Sequence, residues 1–400
     1  MARQHECSIS FGVHRRLAVL LMLIWGSGAS AAQQYQAVVL SGGPGADQGA
    51  MALAVGGGTQ AGYQWFAAGP ERAATWSGSA ATAADVNPSW ALYSMVLGVG
   101  DGQMVGWDGY GQHGVLWPGG GQGPVDLTPL GFPSSFASAV SGGQQVGFAG
   151  RHAVLWTGTA GSAVDLNPAG SLESAAYGVA NGQQVGYAEV AGVDHAYVWS
   201  GTAVGGQDIN PVGFRKSFAL ATSGVQQVGY GLPAAGSDVH ALIWSGTGAS
   251  AIDLNPLGFQ SSVGTAIAGA VQVGYGYDPS FGTYISGQHV SGDPWYTFTP
   301  RGTGGARAYP THALAWYGSE NGFVDLNAFL PAGFFASEAW GVDTFGDIVG
   351  VGYTWIPDGD GGMFGLKHAV MWLPVPEPCG GLLALVGGFW CTLRRWRGRA

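Results

Sequence analysis

The sequence predicts an all-β chain folded as a single seven-bladed β-propeller. Three observations carry this. Four kinds of short apolar segment recur along the chain. Their spacing matches one propeller blade. The first and last strands of the repeat region are each one strand short of a full unit, and they complement one another.

The clearest segment reads His-Ala-x-x-Trp: His152 to Trp156, His195 to Trp199, His240 to Trp244, His312 to Trp316 and His368 to Trp372. Degenerate copies end at Trp76 and Trp117, so there are seven. A second segment follows it as Asp-Leu-Asn-Pro or a close variant, at Asp85, Asp126, Asp165, Asp208, Asp253 and Asp325. That makes six. A third is Gln-Val-Gly-aromatic, as in Gln144–Phe148, Gln183–Tyr187, Gln226–Tyr230 and Gln272–Tyr275. Its variants lie at Gln60–Tyr63, Gln103–Trp107 and Asp347–Tyr353, again making seven. The fourth is rich in Ala and Gly, includes Ala54-Val55, Gly98-Val99, Ala176–Val179 and Ala339–Val342, and also occurs seven times.

Each segment is short, carries β-branched or aromatic residues, and is bounded by Gly, Pro or Asn, as strands are. Asp101-Gly102 and Asn181-Gly182 join the fourth kind to the third through two-residue turns. Each unit is therefore four antiparallel strands. Successive Trp positions lie 41, 39, 43, 45, 72 and 56 residues apart. The missing seventh Asp-Leu strand fixes the topology. Tyr35–Leu40 is a lone apolar strand before the first full unit, and His368–Trp372 lacks an outer partner. Pairing them closes the ring and removes the open edges of a linear stack. The Ala/Gly-rich strand is then innermost, where a ring is most crowded. A β-solenoid is the alternative architecture, and it gives no reason for complementary half-units.

Both ends read as sorting segments. Arg15 and Arg16 precede the apolar stretch Leu17–Trp25, and small residues follow, with Ala-x-Ala-type sites ending at Ala31 or Ala32. Residues 1–32 are thus expected to be a secretory signal peptide, and 33–374 the propeller. Residues 375–400 contain Pro376, Glu377 and Pro378, an apolar run from Cys379 to Leu393, and then Arg394, Arg395, Arg397 and Arg399. That run of 15 residues spans about 22 Å as a helix, which is short for a permanent anchor. The arginines would hold the tail on the cytoplasmic side.

This order resembles the PEP-CTERM signal that exosortase-type transpeptidases recognise. The resemblance implies an exosortase-like partner, transient inner-membrane anchoring, and processing near Pro376-Glu377-Pro378. A plain tail anchor and lipidation at Cys379 are the alternatives. The His-Ala-x-x-Trp units, over roughly residues 50–372, resemble the extracellular HAF repeat family. The third position here is Val, Tyr or Leu rather than Phe. This second resemblance implies export and a propeller-like array, and no catalytic residue.

Composition narrows the function. Of 14 Lys and Arg, three lie in the leader and four in the tail, which leaves seven. Of 24 Asp and Glu only Glu6 lies outside the propeller and its Pro-Glu-Pro clip, which leaves 23. The exported part is near −16, a surface that repels nucleic acid and anionic lipid. Cys7 lies in the leader, and Cys379 and Cys391 in the tail, so the propeller has no disulfide.

Five repeated histidines invite a metal reading, but equivalent residues on different blades do not converge. A structural hydrogen bond is expected for them. The repeated Asp residues are expected to hold turns. Function is expected where the repeat breaks. The longest break, Gly276 to Thr311, carries Tyr277, Tyr284, Trp295 and Tyr296 as a candidate binding loop. The second, Trp355 to Gly362, carries Asp358 and Asp360, weak metal candidates that lack the later Glu of an EF-hand loop. Both breaks join second and third strands. They emerge on the face of the blade-to-blade connections, which carry Phe132, Phe214, Phe259 and Phe334.

Non-repeating acids (Glu71, Glu173, Glu189, Glu320 and Glu338) read as scattered, and no catalytic motif occurs. The expectation is a non-enzymatic exported protein, without cofactor, that binds exopolysaccharide or a surface protein. The alternative is a propeller lyase or glycosidase. A convergent polar cluster at the central channel would favour that alternative.

Overall fold

The computed structural model describes residues 33–41, 49–65, 70–109, 112–279, 311–357 and 363–376. Tyr35–Val375 form one compact unit. It contains seven four-stranded sheets, and the chain is a seven-bladed β-propeller. Blade four shows the plan, with strands Ser174–Ala180, Gln183–Val190, Val193–Trp199 and Val164–Asp165's equivalent, Gln207–Asp208. These are, from the axis outward, the Ala/Gly-rich, Gln-Val-Gly-aromatic, His-Ala-x-x-Trp and Asp-Leu segments. Blades one to six lie within 50–325. Blade seven is built from Phe334–Val342, Ile348–Pro357 and Met363–Val375, and its outermost strand is Gln34–Val39 from the other end of the chain. The ring closes as the half-units require.

Seven innermost strands crowd one axis, and each solves the crowding in the same way. Every one carries a bulge against its second strand, skipping Leu53, Leu97, Ser138, Tyr177, Leu220, Thr265 or Trp340. These seven side chains line a central channel of about 190 Å³. The residue after each bulge is always small: Ala54, Gly98, Ala139, Gly178, Ala221, Ala266 and Gly341. The reason is contact between blades. A Cβ on Gly178 would stand 2.8 Å from the Ala221 Cα, and one on Gly98 would stand 2.9 Å from the Ala139 Cα. Backbone cannot retreat from such contacts as a side-chain tip can. The Asp101-Gly102 and Asn181-Gly182 turns have positive φ at both residues, as a type I′ hairpin turn requires.

A polar relay ties each blade to the next. The Asp165 carboxylate accepts from His152 Nδ1 at 2.8 Å and from the Asn167 amide at 2.8 Å. Asn167 Oδ1 accepts from Ser174 Oγ, which opens the next blade, at 2.6 Å. Ser174 Oγ in turn accepts from the Ala153 amide at 2.9 Å, beside the starting histidine. The circuit recurs through His195–Asp208–Asn210–Ser217, His240–Asp253–Asn255–Ser262 and His312–Asp325–Asn327–Ser337. Between Asp and Asn, Leu166, Ile209, Leu254 and Leu326 are fully buried. The Asp-Leu-Asn motif is thus a turn, a core residue and an inter-blade bond in three positions.

The seam departs from this plan. The Leu40 amide donates to the Ala369 carbonyl at 2.7 Å, as the Leu166 amide does to the Ala153 carbonyl. By that register Val39 stands where the relay Asp would be. His368 instead pairs through Nδ1 with Ser41 Oγ at 3.0 Å and through Nε2 with Thr354 Oγ1 at 2.8 Å. With no carboxylate partner, burial holds His368 below the usual histidine range. The Asp253 hydrogen bond holds His240 above it. Tyr35 Oη meets Tyr317 Oη at 3.0 Å and links the closing strand to the end of blade six's third strand.

Candidate functional site

The repeat supplies its own controls. One position on the innermost strand pairs with the aromatic of the Gln-Val-Gly-aromatic motif: Met51 with Tyr63, Met95 with Trp107, Phe136 with Phe148, Ala175 with Tyr187, Phe218 with Tyr230, and Val263 with Tyr275. Six blades place an apolar residue there, packed among the aromatics of the second strands. In blade seven it is Glu338, paired with Val351. The aromatic of that blade's motif has moved two residues on, to Tyr353.

Glu338 meets a partner on its own blade and a second carboxylate on the next. Lys367 pairs with Tyr353 across the second and third strands of blade seven, and its Nζ lies 5.2 Å from the ring centre of Trp65 in blade one. Glu71 sits opposite Trp65. Glu71 and Glu338 both act on the Lys367 ammonium. Thr311 of blade six donates to Glu338 Oε1 over 3.4 Å, and Tyr353 also hydrogen-bonds to its carboxyl. Three adjacent blades therefore supply one cluster. Glu338, Lys367 and Glu71 each keep a part of their surface open while protein encloses most of it.

Burial dominates the electrostatics. It pushes the Glu338 carboxyl above the usual range, against the pull of Lys367 and its hydrogen bonds. It pushes Glu71 up, against Lys367 and Trp65. It pulls Lys367 down, against both carboxylates. Burial and the Glu338 charge also raise the Tyr63, Tyr275 and Tyr353 phenols. Titratable groups of opposite sign whose ranges burial shifts are common at functional sites.

The walls are aromatic. Tyr63 and Trp65 meet edge to face at 4.9 Å, and Tyr275 and Trp340 lie 5.5 Å apart. The position paired with the residue before the His carries Trp65, Tyr277 and Tyr353 in blades one, six and seven. In blades two to five it carries Gly109, Gly150, Glu189 and Leu232. The extra aromatics thus appear only beside the cluster.

Of the sequence-predicted candidates, Tyr277 belongs to this group. It is the last residue of its strand, buried, and opposite Thr311. Tyr284, Trp295, Tyr296, Asp358 and Asp360 lie outside the described residues, as do Glu377, Pro378, Arg394, Arg395 and Arg397. Pro376 is described and exposed. Among the described residues there is no group of three or more metal-ligating side chains, and no helix is long and apolar enough to cross a membrane.

Two expectations are corrected. Glu71 and Glu338 are not scattered, because the chain ends meet at the seam and bring them together. The connection phenylalanines do not form a binding face. Phe214, Phe259 and Phe334 fold onto Gly231, Gly276 and Gly352 of their second strands, where an added Cβ would stand 2.6 Å from each ring. Phe132, Phe259 and Phe334 also pack on His152, His312 and His368. The repeated histidines do hold structural bonds, but most are half-exposed; only His312 is buried.

No protein-family model and no curated protein sequence matches the chain. Among solved structures it is similar to the β-propeller domain of the Trilobed protease from Pyrococcus furiosus, with 10% identity and a TM-score of 0.43 over 80% of this chain and 97% of that one. It is similar also to a puromycin-hydrolyzing peptidase of Mycobacterium tuberculosis, with 12% identity and a TM-score of 0.48 over 84% of this chain and 57% of that one. A third is the subtype N11 neuraminidase-like protein of a flat-faced bat influenza virus, with 10% identity and a TM-score of 0.36 over 87% and 99%.

If the fold does not need the cluster, exchanging it for apolar side chains should stabilise the protein. Glu338→Met, Lys367→Met and Glu71→Met together should raise stability by about 1–4 kcal/mol, the range for replacing buried charges by packed apolar residues. Glu338→Met alone should lower it, since Lys367 loses one of its two counter-charges. Denaturant unfolding of the three proteins measures both effects. A triple variant less stable than the parent would make the cluster a structural staple.

Proposed function

We propose that this chain is an exported, exosortase-processed protein of the cell surface or extracellular matrix, and that its propeller binds exopolysaccharide at the channel mouth between blades six, seven and one. The supporting observation is Glu338, a charge at a position where six equivalent blades are apolar. Burying a carboxylate beside aromatic walls costs stability. A repeat that breaks its own rule at one site does so for function more readily than for folding. Flat aromatic faces and nearby carboxylates suit a sugar, which has an apolar ring face and a rim of hydroxyls. The strands that precede the two longest insertions end at Tyr277 and Pro357, in blades six and seven, the blades that supply Thr311 and Glu338.

A second reading is a polysaccharide-active enzyme. The specific observation in its favour is that two carboxylates converge on one lysine. Paired carboxyl groups are the usual machinery of glycoside hydrolysis.

A glycan array probed with residues 33–376 should give a defined set of bound sugars. Trp65→Ala and Glu338→Gln should each weaken that binding at least tenfold, while Leu130→Ala, on an exposed connection, leaves it unchanged. Binding that survives both mouth substitutions would place the site elsewhere. Release of new reducing ends, lost in Glu338→Gln while binding persists, would establish the enzyme reading instead. For sorting, the intact mass of surface material should lack residues 1–32 and the apolar tail. A C-terminal peptide ending at Ala400 would refute cleavage, and an acyl mass on Cys379 would show lipidation.

A further inference from the structure

Blade seven is longer than its neighbours in one place. Among the described residues of the other six blades, the second and third strands stop at the pair made by the first residue of the His-Ala-x-x-Trp motif, or one or two pairs beyond it. In blade seven they run on for five pairs past His368, from Tyr353 with Lys367 to Pro357 with Met363. The result is a two-stranded arm. Its base is braced against blade one. A Cβ on Gly49 would stand 2.6 Å from the Lys367 carbonyl oxygen and 3.4 Å from Leu366 Cδ1, and the Gly49 carbonyl accepts from the Trp65 amide at 2.9 Å. The arm thus begins at Lys367 and beside Trp65, within the site described above.

Tyr353 and Trp355 stand on one face of the arm, because strand side chains alternate. Phe335, from the innermost strand of the same blade, joins them. Its ring lies 6.4 Å from Tyr353 and stacks on Trp355 at 4.0 Å, with 8° between the planes. In the column of Phe335, blades two to six carry Leu92, Pro133, Leu172, Arg215 and Gln260, none of them aromatic. Trp355 is 43% exposed. With Phe335 against one face of the indole, that exposure belongs to the other face and the ring edge. A second ring, brought in against the pattern of five blades, therefore holds an open tryptophan flat. The aromatic residues form a run, with Tyr63 and Trp65 in blade one, then Tyr353, Phe335 and Trp355 in blade seven.

We propose that Trp355, backed by Phe335, is a second stacking position for the glycan that the mouth holds, and that this glycan is an extended β-linked polymer of glucose configuration. This rests on the reading of the mouth as a saccharide site and names the class of its ligand. A sugar stacks on a flat indole through a face that carries only C–H groups. A pyranose with every hydroxyl equatorial has two such faces, whereas mannose and galactose each raise one axial hydroxyl from a face. β-Linkage between equatorial positions keeps successive rings extended, so one chain can lie along both aromatic groups. α-Linkage coils the chain away from them. Tyr353 and Trp355 are roughly 7 Å apart along the strand, so a sugar that fills the mouth reaches Trp355 only with further units attached. A neutral chain also meets no repulsion from a protein whose net charge is −10.

Calorimetric titration of the full exported chain with cellobiose, cellohexaose, maltohexaose and β-mannohexaose tests this. Cellohexaose should bind about tenfold more tightly than cellobiose, and more tightly than either of the other hexaoses. Trp355→Ala should bring cellohexaose down to the affinity of cellobiose and leave cellobiose unchanged. Trp355→Phe, which keeps a flat ring, should restore most of the difference. Phe335→Leu, which removes the backing ring and keeps an apolar side chain, should lower cellohexaose affinity as well. Equal affinity for cellobiose and cellohexaose, or a difference that persists in Trp355→Ala, would overturn the second position and leave the mouth standing. Tighter binding of maltohexaose or β-mannohexaose would overturn the assigned linkage or configuration. If Trp355→Ala kept every sugar affinity and instead broke up a dimer in sedimentation, the arm would be a contact between copies and not a sugar site. Binding of none of the four, with other sugars still held on the glycan array, would overturn this inference alone. An array without any bound sugar would remove the saccharide site itself.

Discussion

Seven strands must pass side by side down one axis, and that crowding governs the rest of the molecule. It sets the small residue after each bulge, since at Gly178 and Gly98 even a Cβ would run into the next blade's backbone. It turns the bulged residue toward the axis, where it lines the channel. It also makes closure compulsory. A seventh blade lacking its outer strand would leave an unpaired edge beside a ring that has no slack to cover it. The strand Gln34–Val39 meets that need from the far end of the chain.

The relay of His, Asp, Asn and Ser works outside this inner ring. It gives buried polar atoms their partners and fixes the angle between neighbours, so that Leu166, Ile209 and Leu254 can be fully buried between sheets. At the seam the relay is missing, and hydroxyl bonds between His368 and Ser41 and Thr354 stand in for it. The place where the chain closes is thus also the place where the repeat is least bound by its own pattern. Glu338, Lys367 and Glu71 lie across that same seam.

This explains what was legible in the sequence and what was not. The blade plan was legible, because each blade repeats the same four strand signals and the half-units at the ends complement one another. The Asp of Asp-Leu-Asn-Pro was legible as a turn former because its chemistry is local. The mouth cluster was not. Glu71 and Glu338 stand near opposite ends of the chain and become neighbours only through closure of the ring. A signal did exist: aligning the seven inner strands column by column sets Glu338 against Met51, Met95, Phe136, Ala175, Phe218 and Val263. The bulge was hidden for a similar reason, since a skipped residue shifts register without changing composition. The connection phenylalanines misled because a large apolar residue beside a turn gives no sign of which way it folds.

The account stands on closure of the ring, and amide hydrogen exchange measures it directly. The Leu40 amide, which donates to Ala369 across the seam, should exchange as slowly as the Leu166 and Leu254 amides, which make the same bond inside blades three and five. All three should open only with global unfolding. A Leu40 amide that exchanges at the rate of a frayed terminus, while the other two stay protected, would show an open ring and contradict the account.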